Sequence, residues 1–180
     1  MKLKTTYVDF MREIYIGQRC FIIELDDYGY EEKNEILATT ASAFNLVIIK
    51  NDMNLNQCED ISELYKQVQK VNPYTKFIIY CNGTRRLTNV GNIINLEFFV
   101  YLDAEKINEQ TIKWLSKSGA KFIFDNKDDD SIEYVNTLSM ALLIKKHQIF
   151  INLNKYTEEE YHQIKSYGYN LYIEYEGEWI

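Results

Sequence analysis

The sequence has few of the residues that cross-link a chain, kink it or bind metal ions. It contains one proline, seven glycines and two histidines among 180 residues, and its three cysteines, Cys20, Cys58 and Cys81, are far apart. An odd number of scattered cysteines is typical of a reducing compartment. No apolar run approaches the roughly 20 residues that a membrane helix needs, and the amino terminus lacks the apolar core of a signal peptide. We therefore expect a cytoplasmic protein.

Positive charge is also scarce. Twenty Lys and Arg residues stand against 27 Asp and Glu residues, which gives a net charge of −7. Binding of nucleic acid needs a basic face, so we expect no direct nucleic-acid partner and no membrane partner. The richness in Tyr, Asn, Ile and Lys is typical of an AT-rich genome, such as that of a phage.

What the sequence does contain is a series of short, mostly β-branched or aromatic runs. A composition of 46% hydrophobic and 26% charged residues is that of a globular protein. Runs of this kind predict parallel strands that are buried on both faces. They are Cys20–Leu25, Asn45–Lys50, Lys76–Cys81, Glu97–Leu102, Ala120–Phe124, Gln148–Leu153 and Tyr169–Tyr175.

Segments with helical period separate most of these strands. Asp60–Val71 has apolar residues at three- and four-residue spacing, and Thr157–Glu160 is a capping-box signature closed by Gly168. The other predicted helices are Glu31–Phe44, Asn108–Lys117 and Asp128–Lys146. We predict a single α/β domain over 1–180, a mostly parallel sheet of about six or seven strands alternating with helices and curved into a partial (β/α) barrel.

Several short strings, taken in order, resemble a known family. They are Glu13–Gly17 with Phe21–Leu25, Val47–Ile49 with Leu55–Gln57, Cys81–Thr84, Lys121–Asp125 and Asn170–Gly177. Together they resemble the radical S-adenosylmethionine superfamily, and within it the 7-carboxy-7-deazaguanine synthase branch, over nearly the whole chain. The resemblance implies an α/β fold of the kind predicted above.

The departures from that family concern its chemistry. The loop that carries the three cluster cysteines in the family is replaced here by Asp26–Tyr30, and the family's glycine-rich cofactor loop is replaced by Asn51–Asn54. A [4Fe–4S] cluster needs thiolate ligands, and a close backbone approach to a cofactor needs glycine. The resemblance therefore implies a degenerate member with no cofactor, no metal and no catalytic residue of the family's reaction.

A second pattern concerns polar residues that follow the predicted strands. Because the carboxyl ends of parallel strands meet at one edge, where ligands bind, these residues form a candidate binding face for Mg²⁺ or a basic partner. The competing interpretation is that each acid caps a helix or is simply solvated. The face comprises Asp26, Asp27, Asp52, Asp103 and Asp125, with Asn82 and Thr84 beside them.

The function expected from these patterns is binding of another protein, favouring a basic one, by a non-catalytic regulatory factor of a phage or its host. Two alternatives stay open. One is a Mg²⁺-assisted enzyme that acts on a nucleotide-like ligand through Asp26, Asp52 and Asp103, and the other is an acidic decoy of a nucleic-acid-binding protein. Homo-oligomers are also compatible with the sequence. A further candidate contact surface consists of Tyr28, Tyr30, Tyr167, Tyr169, Tyr172 and Tyr175. Core and surface packing explains most of these tyrosines equally well.

Overall fold

A computed structural model describes residues 1–11, 14–15, 17–26, 28–50, 58–81, 96–101, 108–124, 132–152 and 156–172. These residues fall into two compact units. The first contains strands β1 to β5, and the second contains β6 from Phe98 onward and all later elements. Each unit has its own strands, helices and buried side chains.

Nine strands and five α-helices lie in the described residues. The strands are β1 (Lys2–Phe10), β2 (Arg19–Leu25), β3 (Tyr30–Glu31), β4 (Leu46–Lys50), β5 (Lys76–Cys81), β6 (Leu96–Tyr101), β7 (Lys121–Phe124), β8 (Ile149–Asn152) and β9 (Asn170–Tyr172). The helices are α1 (Asn34–Ala41), α2 (Cys58–Val71), α3 (Glu109–Lys117), α4 (Ile132–Ala141) and α5 (Glu158–Tyr167).

In the first unit the strands are ordered β3-β1-β2-β4-β5. β1 pairs with β2 and β3 in the antiparallel sense, whereas β2, β4 and β5 are parallel. The parallel strands are nearly all β-branched or aromatic, which suits strands covered on both faces. The register places Phe21 opposite Val47, and Val47 opposite Phe77, in the buried centre.

Helices α1 and α2 pack against each other and on this sheet. The Tyr65 ring of α2 meets the Phe77 ring edge-on at 5.2 Å between centroids, and the Asn34 amide of α1 donates to the Asp60 carbonyl at 3.1 Å. The predicted apolar face of α2 is confirmed by the burial of Ile61, Leu64, Tyr65 and Val68. Val71, the last apolar residue of the predicted helical pattern, is exposed, because the helix ends there.

In the second unit β6, β7, β8 and β9 are parallel neighbours in that order. The Asn108 side chain caps α3 by accepting from the Thr111 backbone N–H at 3.1 Å. Thr157 and Glu160 form the predicted capping box of α5, and Gly168 ends that helix in the left-handed conformation. Local signals therefore account for both of these helices.

The predicted α/β class, with mostly parallel strands alternating with helices, is confirmed. The described strands number nine rather than six or seven, because β1 and β3 carry mainly polar or half-exposed residues and show no apolar run. The described pairings close neither unit into a barrel. The prediction that α4 continues to Lys146 is wrong, since the helix ends at Ala141.

Other expectations are not decided by the fold. The segment Thr84–Asn95, which the sequence left without a clear period, lies outside the described residues. The single-domain expectation stays a prediction. No helix in the described part of the chain combines the length and the apolarity needed to span a membrane.

Candidate functional site

The carboxyl ends of three parallel strands lie along one edge of the first unit. β2, β4 and β5 pair in register, with Glu24 opposite Lys50 and Lys50 opposite Tyr80. Asp26 directly follows the end of β2 and so lies at this edge. Ligands of parallel α/β folds bind at the carboxyl edge of the sheet. Asp26 therefore lies at the carboxyl edge, and its membership of an acidic binding face stays a prediction.

The remaining residues of that face lie outside the described residues. They are Asp27, Asp52, Asp103, Asp125, Asn82 and Thr84. The expectation that these side chains meet Asp26, whether to hold Mg²⁺ or to bind a basic partner, stays a prediction. What the structure adds is the local geometry around Asp26 itself.

Asp26 shapes the turn that leads from β2 to β3. Its carboxylate Oδ1 accepts a hydrogen bond from the Tyr28 backbone N–H at 2.9 Å, and its carbonyl accepts from the Gly29 N–H at 3.2 Å. Its own N–H donates to the Lys2 carbonyl at 3.3 Å. This is an Asx turn, a conformation that aspartate favours. Asp26 thus has a structural role in addition to its charge.

Gly29 fixes the same turn against β1. A Cβ on this residue would lie 2.5 Å from the Leu3 carbonyl carbon and would overlap the Leu3 carbonyl oxygen. The absence of a side chain lets the turn lie directly on the β1 backbone. Asp26, Tyr28 and Gly29 are therefore linked by hydrogen bonds, and Gly29 also packs closely on β1.

The turn presents two tyrosines to solvent. Tyr28 is 94% exposed and Tyr30 is 51% exposed. Large aromatic side chains are enriched in protein interfaces, where their burial yields much of the binding energy. Exposure of two such side chains on a turn with restrained backbone is the geometry expected of a preformed contact surface.

The other members of the predicted tyrosine surface behave differently. Tyr169 and Tyr172 are buried in the second unit, so the prediction is wrong for them. Tyr167 is half-buried and stacks on Tyr169 with 5.7 Å between ring centroids. Tyr175 lies outside the described residues. Sequence alone did not separate these residues, because β9 and its flanks alternate aromatic and polar residues much as an exposed surface would.

Acidic residues lie close to the two exposed tyrosines in the sequence. The sequence from 26 to 35 contains five acidic residues and one lysine, Lys33. Glu31 is exposed and Glu32 is half-buried, while Lys2 lies opposite Glu31 in the β1–β3 pairing. The local charge therefore remains negative. We call Asp26, Tyr28, Tyr30, Glu31 and Glu32 the acidic–aromatic turn.

A half-buried polar cluster lies beside this turn on β1, β2 and β4. The Tyr7 hydroxyl donates to Glu24 Oε1 at 2.9 Å, and Lys4 Nζ lies 3.4 Å from Glu24 Oε2. Lys50 Nζ donates to the Tyr7 hydroxyl at 3.4 Å and lies 5.8 Å from the centre of the Tyr80 ring. The sequence signal for this cluster was weak, since Tyr7 belongs to a strand that was not predicted.

The protonation states in the cluster are fixed by its contacts. Burial, followed by the hydrogen bond to Glu24, raises the pKa of Tyr7 to about 12. Burial alone would raise the pKa of Glu24, but the hydrogen bonds from Tyr7 and Lys4 and the charges of Lys4 and Lys50 lower it overall. At neutral pH the carboxylate is held ionised and the phenol neutral. Groups held so far from pH 7 stabilise the sheet edge and are poorly matched to proton transfer.

The buried thiol of Cys20, on β2, is also poorly suited to chemistry at neutral pH. Burial, followed by the charge of Asp9, raises the pKa of Cys20 to about 11, and its Sγ lies 3.4 Å from the Asp9 carbonyl oxygen. A buried thiol of high pKa is a poor nucleophile. Within the part of the chain that the structure describes, no three His, Cys, Asp or Glu residues lie close enough together to hold a metal ion.

Comparison of the chain with family models, with curated proteins and with solved structures finds no match. The resemblance to the radical S-adenosylmethionine superfamily stays a prediction. Of the two segments that depart from that family, Asp26–Tyr30 is described apart from Asp27, and its Asp26, Tyr28 and Tyr30 belong to the acidic–aromatic turn. The other segment, Asn51–Asn54, lies outside the described residues.

Proposed function

We propose that this protein acts by binding another protein, and that the acidic–aromatic turn contacts a basic segment of that partner. The observation that supports this most strongly is the 94% exposure of Tyr28 on a backbone held by Asp26 and Gly29. An aromatic side chain in water is unfavourable to a monomer and becomes favourable when a partner covers it. The restrained backbone lowers the entropy lost on binding.

The charge around the tyrosines selects the class of partner. Carboxylates that flank an aromatic contact attract Lys and Arg side chains and repel acidic surfaces. An arginine can also stack on an exposed tyrosine ring while it binds a neighbouring carboxylate. A basic protein segment satisfies both features of the turn. An acidic decoy that occupies a nucleic-acid-binding protein is a special case of this proposal.

The non-catalytic character of the protein is part of the proposal. The side chains of Tyr7, Glu24 and Lys50 are hydrogen-bonded to one another, and these contacts keep the Tyr7 phenol neutral and the Glu24 carboxylate ionised at neutral pH. The alternative of a Mg²⁺-assisted enzyme requires Asp26 to converge with Asp52 and Asp103, which lie outside the described residues. The carboxylate of Asp26 is engaged with the Tyr28 backbone, which favours a binding role for this edge.

The proposal can be tested with a fluorescein-labelled peptide of alternating Arg and Leu residues and with its Glu counterpart. We expect the basic peptide to bind the wild type, and the double substitution Tyr28→Ser and Tyr30→Ser to weaken that binding about tenfold or more. The affinity should fall as salt is raised, since the charges are exposed. Fluorescence anisotropy over a salt series measures both effects.

Tyr74 provides a matched control. It is 83% exposed, and its N–H donates to the Asn72 side chain at 3.2 Å, so it lies on a similar turn of the same unit. The residues around it, Asn72–Lys76, carry no carboxylate. Tyr74→Ser should leave the affinity for the basic peptide unchanged. Equal losses with both tyrosine variants, or tighter binding of the Glu peptide, would overturn the proposal.

A further inference from the structure

Three helices of the second unit end in residues with a left-handed backbone, and one of the three differs from the others. α3 ends at Gly119 with φ 82° and α5 at Gly168 with φ 76°. α4 ends at Leu143 with φ 58°, the one non-glycine residue with positive φ among the described residues. Side chains disfavour this conformation, which is why glycine dominates at such helix ends. Leucine at this position is locally unfavourable.

The hydrogen bonds at the end of α4 do not require a leucine. The Leu143 N–H donates to the Met140 carbonyl at 3.3 Å, and the Ile144 N–H donates to the Ser139 carbonyl at 2.9 Å. α3 makes the same two bonds with Gly119 in the equivalent place. The pattern is a Schellman motif, and glycine supports it without strain. The reason for leucine must therefore lie in its side chain.

Burial does not supply that reason. The Leu143 side chain is 72% exposed, and Met140, one turn earlier, is 70% exposed. A side chain that remains in water gains little from the hydrophobic effect. The left-handed backbone at Leu143 thus presents an apolar side chain to solvent, one helical turn after the exposed Met140.

The strained turn is held firmly from beneath. The Ser116 hydroxyl donates to the Leu143 carbonyl at 3.1 Å. The buried Gln148 side chain donates to the carbonyls of Ser116 and Ala120 at 2.9 and 3.0 Å and accepts from the Lys145 N–H at 3.3 Å. Strained residues persist where their surroundings determine the conformation in this way, and they concentrate at functional sites.

The charge next to the apolar pair is positive. Lys145, Lys146 and His147 follow Leu143 after the buried Ile144, and all three are exposed. A basic run of this kind on a chain of net charge −7 is a local feature that opposes the overall field. We call Met140, Leu143, Lys145, Lys146 and His147 the basic–apolar turn.

We infer that the basic–apolar turn is a second docking site, which binds an acidic segment of a protein partner through apolar side chains placed on Met140 and Leu143. The carboxylates of that segment would meet Lys145 and Lys146, as charge complementarity requires. The site is separate from the acidic–aromatic turn and does not depend on the function proposed for it.

Other classes of partner fit this turn less well. Two apolar side chains bury too little area for stable attachment to a lipid surface, and the net charge of −7 repels anionic lipids. Nucleic-acid binding rests on many phosphate contacts, which two lysines and a histidine do not supply, and Leu143 would add nothing to it. A protein segment uses both the charge and the apolar pair.

The inference predicts that relief of the strain and loss of binding go together. Leu143→Gly keeps the Schellman hydrogen bonds and removes the strain of a left-handed leucine. It should raise Tm by roughly 2–4 °C, the shift expected when one such backbone strain is relieved in a protein of this length. A random peptide library selected on the full chain, and counter-selected on Leu143→Gly, supplies the binding readout. Peptides enriched on the wild type alone should be net acidic and carry apolar residues.

The matched controls are Gly168→Leu and Val71→Ser. Gly168→Leu places leucine at an equivalent helix end, and it should lower Tm without changing the binding of the selected peptides. Val71→Ser removes an exposed apolar side chain of the first unit, and this variant should still bind the selected peptides. Absence of enrichment, enrichment of basic peptides, or equal binding to Leu143→Gly would overturn the inference. Self-association of the wild type that Leu143→Gly abolishes would overturn the commitment to a foreign partner.

Discussion

The acidic–aromatic turn of the first unit and the basic–apolar turn of the second both expose large side chains, but the key backbone residue of each turn fits its conformation differently. Both present large side chains to solvent from a backbone that hydrogen bonds hold in place. In the first turn the residue is the one that sterics require, because any side chain on Gly29 would overlap the Leu3 backbone. In the second turn the residue is one that sterics disfavour, because glycine would form the same hydrogen bonds as Leu143 without strain. A residue that follows local physics explains the shape of a turn, whereas one that violates it points to a use for its side chain.

The two turns also rest on different chemistry. The neighbourhood of the first includes an ionised carboxylate, Glu24, bound by Tyr7 and Lys4. The second rests on the neutral side chains of Ser116 and Gln148. The effects of substitutions on the free energy of unfolding should therefore differ most between the two turns for changes in packing. They should differ less with pH, and least for single surface charges.

The largest effect is expected at Gly29. Gly29→Ala places a methyl group against the Leu3 carbonyl and should lower the free energy of unfolding by about 3 kcal/mol, the upper range for overpacking. Gly119→Ala, where a Cβ would have open space, should cost only about 1 kcal/mol through its positive φ. Urea denaturation of both variants measures the difference. Equal losses would show that the first turn does not lie on β1 as described.

A moderate effect is expected for Tyr7→Phe, which removes a donor from Glu24 and should cost about 1 kcal/mol at neutral pH. The pKa of Tyr7 is raised from 10.0 to about 12, so its contribution is complete below pH 10 and is lost as pH rises through 12. The pKa of Glu24 is lowered, so its contribution is present above its unfolded pKa and is lost as pH falls. The stability difference between wild type and Tyr7→Phe should shrink at both extremes.

The neutral network of the second unit provides the contrast for that experiment. Ser116→Ala removes the donor to the Leu143 carbonyl, and its cost should not change between pH 6 and pH 11, since neither Ser116 nor Gln148 titrates. Denaturant unfolding at several pH values measures both differences. A difference for Tyr7→Phe that is constant over the whole range would show that Tyr7 and Glu24 are not coupled.

The smallest effect is expected for Asp26→Asn. Asparagine retains the oxygen that accepts from the Tyr28 N–H, so the turn should persist and the free energy of unfolding should change by less than about 0.5 kcal/mol. Affinity for the basic peptide should fall slightly and depend less on salt. A marked loss of stability would mean that the charge of Asp26, rather than its oxygen, holds the turn.

The sequence predicted the fold well where one physical signal dominated. Buried parallel strands such as Leu46–Lys50 are continuous apolar runs, and α5 begins and ends at the capping box and glycine that the pattern indicated. The strand Lys2–Phe10 was missed because its side chains are mostly half-exposed and form no apolar run, although its partner β2 is the next strand in the chain. A strand of this kind depends on packing and pairing that local propensity does not show.

The candidate sites were predictable only in part. Asp26 follows a predicted strand, so its place at the carboxyl edge could be inferred. The difference between exposed Tyr28 and buried Tyr172 could not, because both are tyrosines within alternating segments and only the packing of the fold separates them. Leu143 was placed inside a helix, since its left-handed backbone contradicts the preference of leucine.

The claim that the two turns are separate docking sites of opposite charge is tested most directly by one titration. Affinity for the Arg–Leu peptide is measured with the wild type, with Tyr28→Ser plus Tyr30→Ser, and with Leu143→Gly, under identical salt. We predict at least a tenfold loss for the tyrosine variant and an unchanged affinity for Leu143→Gly. Equal weakening by both variants, or no weakening by the tyrosine variant, would contradict the claim.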